Sequence, residues 1–320
     1  MLTRASLFAL SVLSARASCP AEPPRPVVDG NATRMFFVGA HHSGTYTYQA
    51  IARRLAFAHA QHDRSWGFDT AKLYEGDAFA DTPMFWPLSR EHEFGHAKHP
   101  NVRKLMNCFG GGLFVLNTRS LISWLSSLFH WQFGSERPDC AASERILADK
   151  RTKICQWVRA REQYQTAIID LFAKAPAPWH ERFVITDLPR EGSANVTRRL
   201  CRLRQRFDGR PAGACDAFGD RSSVHVHKSP FRSADARACA EARIRAMLSG
   251  AAATRARDEG ERVRQLAACK GLNLSAADLE RGVLALPESR HSHARVRFVE
   301  RASGFLSDAA MSQSHEQGVT

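Results

Sequence analysis

The 320-residue sequence contains no Cys-x-x-Cys pair and no grouping of cysteine with histidine at zinc-finger spacing, so it suggests no structural metal. It also lacks an apolar run of the ~20 residues that a membrane-spanning helix needs. No internal repeat is visible. Acidic residues are in short supply: 32 Asp and Glu stand against 45 Lys and Arg, giving a formal net charge of +13. Such a balance points to polyanionic partners, among them phosphorylated nucleotides, nucleic acids, acidic glycans and membrane surfaces. The basic residues are scattered, without interleaved aromatics or a known RNA- or DNA-binding module, which ranks nucleic acid last. In the C-terminal third, a merely solvated arginine-rich surface explains the charge equally well. The hydrophobic fraction of 44% is ordinary for a globular chain and excludes wholesale disorder.

The first residues read as a targeting segment. Arg4 supplies a positive start, Leu7 to Leu13 a short apolar stretch, and Ala15-Arg16-Ala17 a small-residue cleavage pattern. A signal peptide over 1–17 is therefore expected, followed by a Pro-rich linker over 18–32 and, for the mature chain, no stable membrane span. Asn-x-Ser/Thr sequons at Asn31, Asn195 and Asn273 agree with passage through a glycosylating lumen. All eight cysteines lie beyond the cleavage point. In an oxidising compartment Cys201 and Cys215 could close a short loop, and Cys140 with Cys155 another, although spacing alone does not fix pairing.

Arg34 to Gly39 is an apolar run ending in glycine, the signature of a buried strand. Helical character follows over Tyr48 to Ala58, and 89–110 reads as loop or short helix. Leu113 to Thr118 is a second buried strand. After it Leu121, Trp124, Leu125 and Leu128 recur at helical spacing, with Ser120, Ser123 and Ser127 on the neighbouring stripe. Residues 142–173 are helical, with Trp157, Tyr164, Ile168, Leu171 and Phe172 on one face. Arg182 to Thr186 is a third strand, and Ala194 to Phe207 another helix. This alternation predicts a three-layer α/β fold with a mainly parallel sheet. Past residue 232 the Ala-, Arg- and Glu-rich composition predicts a mainly helical extension over 233–320, with little core-forming material over Ala234 to Cys269.

Two segments carry chemistry. In the first, Gly39-Ala40-His41-His42-Ser43-Gly44-Thr45-Tyr46 joins a strand to a helix, which gathers backbone N–H groups around an anion. Its two glycines have the spacing of a Walker A loop, so the fold expected is P-loop-like. Thr45 replaces the Walker lysine, however, and Tyr46 the magnesium-binding hydroxyl. That excludes the polarising parts of a P-loop kinase or NTPase and leaves the phosphate cradle. In the second segment, Leu113-Phe-Val-Leu-Asn117-Thr118 ends in Arg119, with Ser127 eight residues on. An arginine at the carboxyl end of a parallel strand points into the crevice where open α/β sheets bind ligands. Its planar guanidinium suits a phosphate, and a serine two turns along supplies a neutral donor. Taken alone, each segment also fits a ligand-free turn or a salt-bridged surface arginine.

Together the two segments resemble the sulfotransferases that use 3′-phosphoadenosine-5′-phosphosulfate. The resemblance spans roughly 34–232, the expected sulfotransferase-like domain being 33–232, and only the two motifs are specific. It implies that His41, His42, Ser43, Gly44, Thr45 and Tyr46 hold the 5′-phosphosulfate, and that Arg119 and Ser127 hold the 3′-phosphate. Asp81-Thr82-Pro83 resembles an Asp-x-Pro turn of some branches. His225-Val-His227-Lys228 sits where some relatives carry a late basic contact, so Lys228 joins the expected cofactor residues. His42 departs from the family's Lys or Arg before Ser-Gly-Thr; a dianionic ligand favours its imidazolium form.

What the resemblance implies is transfer of a sulfuryl group to an acceptor hydroxyl, with carbohydrate the first choice and an anionic glycan among the partners. Nucleic acid and metal have no part in it. Sulfuryl transfer needs alignment and charge stabilisation, and a base for the acceptor proton. Asp81 is the base expected, with Glu75, Asp77, His99 and His130 as rivals, and an Asp before Thr-Pro is equally a turn former. His42 and the loop amides stabilise charge on the leaving phosphate. The location implied is the secretory pathway, in the Golgi lumen or outside the cell. From another class, the same anion loop could serve a catalytically silent binder of phosphorylated or sulfated ligands.

Overall fold

The computed structural model describes residues 33–40, 44–57, 60–61, 78–80, 100–133, 140–208, 215–218, 234–248, 272, 274–282, 298–299 and 302. Among the described residues five parallel strands form one sheet: β1 (Met35–Phe37), β2 (Ala60–Gln61), β3 (Ala78–Ala80), β4 (Leu113–Thr118) and β5 (Phe183–Asp187). Their order is β2-β3-β1-β4-β5. The described helices are α1 (Thr45–Arg54), α2 (Pro100–Cys108), α3 (Leu121–Phe133), α4 (Cys140–Ala173), α5 (Ala177–Glu181), α6 (Leu188–Glu191), α7 (Ser193–Asp208), α8 (Ala234–Leu248) and α9 (Ala276–Leu279). The protein is thus α/β with a parallel sheet, as the alternation of apolar runs predicts.

The period-2 alternation of side chains sorts the strand residues onto two faces. Met35, Phe37, Leu113, Val115 and Val184 meet Tyr48 and Ile51 of α1, Leu55 just past its end, and Val196, Leu200 and Leu203 of α7. On the opposite face Phe36, Val38, Phe114, Leu116, Phe183 and Ile185 meet α2, α3, α4 and α8 in the larger core. With both faces covered, the central strands must be apolar throughout, which is why they read as continuous runs. Tyr48, Ile51 and Ala52 of α1 are buried with Leu55 just past its end, one stripe at i, i+3, i+4 and i+7. The stripe expected of α3, namely Leu121, Trp124, Leu125 and Leu128, is likewise buried.

Two expectations need correction. Helix α1 begins at Thr45, three residues before the start read from the sequence, because Gly44 enters it at φ 89° and no side chain caps it. The stretch from Ala234 is not poor in core material where it is described: Ile244, Met247 and Leu248 join the larger core, as do Leu272, Leu279, Phe298 and Ala302 further on. Ala236 and Ala240 are buried too, and such small residues let α8 approach closely.

Cys201 and Cys215 form a disulfide, with Cα atoms 5.5 Å apart and a sequence separation of 14. Cys108, Cys155 and Cys239 are also disulfide-bonded. Closing a loop of that length restricts the unfolded chain by about 3 kcal/mol. The double variant Cys201→Ser/Cys215→Ser should lose roughly that much stability in denaturant titration. A loss below ~0.5 kcal/mol would mean that the loop is already ordered in the unfolded chain.

Candidate functional site

Chain direction locates a crevice. From β1 the chain runs toward one edge, where it builds β2 and β3, and then passes back across β1 to build β4 and β5. The order therefore reverses between β1 and β4. At such a reversal in an open parallel sheet, helices leave neighbouring strands on opposite faces and the carboxyl ends stand open to a ligand. Here α1 follows β1 onto the face of the smaller core, and α3 follows β4 onto the face of the larger.

On the β1 side, Gly39 sits against the end of β4. Its amide donates to Asn117 Oδ1 at 2.8 Å, and a β-carbon there would lie 2.0 Å from the Asn117 carbonyl oxygen. Gly44 then starts α1 in the left-handed region. The first turn of α1 carries no acidic residue and its N-cap, Gly44, has no side chain to cap it; the partial positive charge of a helix N-terminus suits an anion. Tyr48, one turn in, is fully buried and shares a 2.6 Å hydrogen bond with Thr186 Oγ1 on β5. Burial pushes its phenol pKa well up, so it stays neutral.

On the β4 side, Thr118 Oγ1 donates to the Thr186 carbonyl at 2.9 Å, and Arg119 follows at the strand's end. Arg119 is half-buried, and its Nε donates to Ser123 Oγ at 2.6 Å. Burial first, and the neighbouring Arg237 second, bring its pKa down to about 10, which leaves it charged at neutral pH. Ser120 Oγ accepts from the Ser123 amide at 3.2 Å and starts α3. Ser127, expected two turns along as a second donor to the phosphate, is half-buried on the same stripe. Ser123 is a serine that touches Arg119.

Three further residues gather at this end of the sheet. Arg161 of α4 is fully buried; its Nη2 donates to the Arg119 carbonyl at 2.5 Å and to the Gly282 carbonyl at 2.6 Å. Its guanidinium lies 5.0 Å from the Trp124 ring centroid and, through Nη1, 3.9 Å from Glu162 Oε1. Gly282 packs so tightly that a β-carbon would come within 2.5 Å of Thr118 Oγ1 and 2.7 Å of Asp187 Oδ2. Asp187 is half-buried, in register with Thr118 across the strands. Burial pushes its carboxyl pKa up, against the opposing pull of the Arg190 amide and of the Arg190, Arg161 and Arg119 guanidiniums.

Among the expected site residues, then, Gly44, the backbone of Thr45, Tyr46 and Arg119 lie where β1 and β4 give way to α1 and α3, and Ser127 lies two turns along α3. Tyr46 is exposed on the first turn of α1. His41, His42, Ser43, Asp81 and Lys228 lie outside the described residues, as do Glu75, Asp77, His99, the side chain of His130, and the segments 1–17 and 18–32. Among the described residues no group of three or more His, Cys, Asp or Glu side chains could hold a metal ion, and no helix is long and apolar enough to cross a membrane. Arg161, Gly282 and Asp187 escaped the sequence reading. The signal for Arg161 was present: it falls between Trp157 and Tyr164 on the apolar stripe of α4, where helical spacing calls for a hydrophobic residue. No family model, curated protein or solved structure matches this chain, so the chemistry open to it follows from these residues alone.

Proposed function

We propose that the protein is a sulfotransferase of P-loop-like fold that moves a sulfuryl group from 3′-phosphoadenosine-5′-phosphosulfate to an acceptor hydroxyl, carbohydrate being the first candidate. The observation that carries this reading is the place of the two motifs. The β1–Gly44–α1 turn and the Arg119 strand end flank the reversal of order between β1 and β4 among the described strands, and such a reversal is where a parallel sheet takes its ligand. The residues fit the donor's two charged ends. The first turn of α1, with a glycine N-cap and no acidic residue, suits the 5′-phosphosulfate, and Arg119 beside Ser123, with Ser127 one turn further along α3, suits the 3′-phosphate.

In the reaction, the acceptor oxygen forms a bond to sulfur as the bond from sulfur to the 5′-phosphate oxygen breaks. The leaving phosphate keeps that electron pair, and the hydroxyl proton passes to a base, for which Asp81 is the residue offered. His42 and the α1 amides would lower the energy of charge growing on the leaving oxygen. No step needs a metal. The disulfide-bonded cysteines fit the oxidising lumen of the secretory pathway or the exterior.

The test is a calorimetric titration of the wild-type chain with adenosine 3′,5′-bisphosphate and with AMP, which differ by one phosphate. Charge-assisted hydrogen bonds to that phosphate contribute about 1.5–3 kcal/mol each, so a preference of roughly ten- to a hundredfold for the bisphosphate is expected. Equal affinities would sink the assignment. A preference without turnover of labelled donor, across acceptors that include anionic glycans, would leave a silent binder instead.

A further inference from the structure

Arg161 is hard to explain as a packing residue. It occupies a core position in the stripe Ile154, Trp157, Arg161, Tyr164, Ile168 and Phe172, all of them buried. Moving a guanidinium out of water carries a large desolvation penalty, and a buried charge is often replaceable by an apolar side chain of similar volume without loss of stability. Its Nε and Nη1 make no hydrogen bond, so the penalty is only partly offset. What Arg161 does achieve is geometric. A single nitrogen, Nη2, ties the Arg119 carbonyl, 42 positions earlier, to the Gly282 carbonyl, 121 positions later. One turn along α4, the Tyr164 hydroxyl donates to the Val38 carbonyl at 2.8 Å, next to Gly39. Adjacent turns of one helix thus grip the carboxyl ends of β4 and β1, the two sides of the crevice.

We propose that Arg161 is a positioning residue: it fixes the Arg119 strand end against α4 and against the Gly282 segment, and so sets the direction in which Arg119 meets an anion. Trp124 lies beneath the guanidinium and holds it in place. The Gly282 segment is the other half of the clamp. Leu279 anchors it in the larger core, a capping box formed by Ser275 and Asp278 starts its short helix, and Gly282 itself lies over Thr118 and Asp187. Residues past 232 therefore belong to the working site rather than to an appendage of it.

This inference rests on the nucleotide reading above, and the experiment separates the two. Wild type, Arg161→Met, Arg161→Lys and Gly282→Ala are titrated with adenosine 3′,5′-bisphosphate and with AMP, and their thermal midpoints are measured. Arg161→Met removes both carbonyl contacts and is expected to bind the bisphosphate about tenfold more weakly while AMP affinity stays within about twofold, a loss of about 1.4 kcal/mol on the constant that relates affinity to free energy. Arg161→Lys keeps a donor for the two carbonyls and should recover most of the preference. Gly282→Ala, which leaves Arg161 intact but lifts the segment off Thr118 and Asp187, should reproduce the Met phenotype; it decides the matter should Arg161→Met fail to fold. A wild type that does not prefer the bisphosphate overturns the nucleotide reading and this inference with it. A wild type with the preference, whose Met or Ala variant melts earlier but keeps that preference, overturns the clamp alone and makes Arg161 merely structural.

Discussion

Arg119→Ala should bind adenosine 3′,5′-bisphosphate roughly ten- to a hundredfold more weakly than wild type and AMP nearly as well, because the lost contacts are charge-assisted hydrogen bonds to one phosphate. Three features of the strand end set this size. Burial and the nearby Arg237 bring the Arg119 pKa down only to about 10, so the side chain remains a full cation at pH 7. Its Nε is held by Ser123, which fixes the plane of the guanidinium. Its carbonyl is held by Arg161, which fixes the backbone that carries it. A cation ordered before the ligand arrives loses little further freedom on binding. Arg119→Lys should recover only part of the loss, since an ammonium offers a point charge in place of a planar fork. An arginine that merely paired with neighbouring carboxylates would contribute about 0–1 kcal/mol to stability and nothing to nucleotide choice. Calorimetric titration with both nucleotides distinguishes these cases. Retention of the wild-type preference by the alanine variant would remove Arg119 from the site.

The parts of the fold that the sequence declared are those where one physical demand dominates. Strands β4 and β5 are covered on both faces, so Leu113-Phe-Val-Leu and Phe183-Val-Ile had to be continuous apolar runs, and they were readable as such. Strands β2 and β3 offer two and three residues, too few to carry any period. Helix α2 hid among mixed charges, although Pro100 at its first position and buried Val102, Leu105 and Met106 are a legible helical pattern. Helix α8 was under-read for another reason. Its Ala-rich sequence gives a weak apolar stripe, and contact is made by Ile244, Met247 and Leu248 in its last turns.

At the site, the glycine loop and Arg119 were readable because each follows a strand directly. Ser127 was readable as a second donor to the phosphate, two helical turns beyond Arg119, whereas the hydrogen bond of Ser123 to Arg119, made in the turn from β4 into α3, was not. Gly282 had no signal at all: its role comes from its closeness to Thr118 and Asp187, residues far from it in sequence. Long-range contacts of that kind leave no local period in the sequence.

Gly39→Ala should be among the most damaging of all single-methyl additions to this chain. Backbone conformation is not the reason, since the φ of Gly39 lies outside the left-handed region. Space is. The new methyl would stand 2.0 Å from the Asn117 carbonyl oxygen and 2.5 Å from both Cγ and Oδ1 of the Asn117 side chain. Those neighbours cannot yield cheaply. Asn117 is fully buried within β4, and its backbone is paired in register with Thr186 of β5. Relief therefore requires β1 and β4 to separate at the carboxyl end, which breaks the hydrogen bond from the Gly39 amide to Asn117 Oδ1. Overpacking of this kind costs about 1–3 kcal/mol, and stranding a buried amide adds about 1–3 kcal/mol more, for a loss of roughly 4 kcal/mol. That is a large share of the ~5–15 kcal/mol by which a domain is stable, so reduced soluble yield is expected along with a lower unfolding midpoint. Asn117→Ala supplies the control. It removes Cγ and Oδ1 but leaves the carbonyl oxygen, so the double variant Gly39→Ala/Asn117→Ala should recover only part of the loss. Chemical denaturation of the three variants measures this. Gly39→Ala within ~1 kcal/mol of wild type would show that the two strand ends stand further apart than 2.0 Å for a methyl allows.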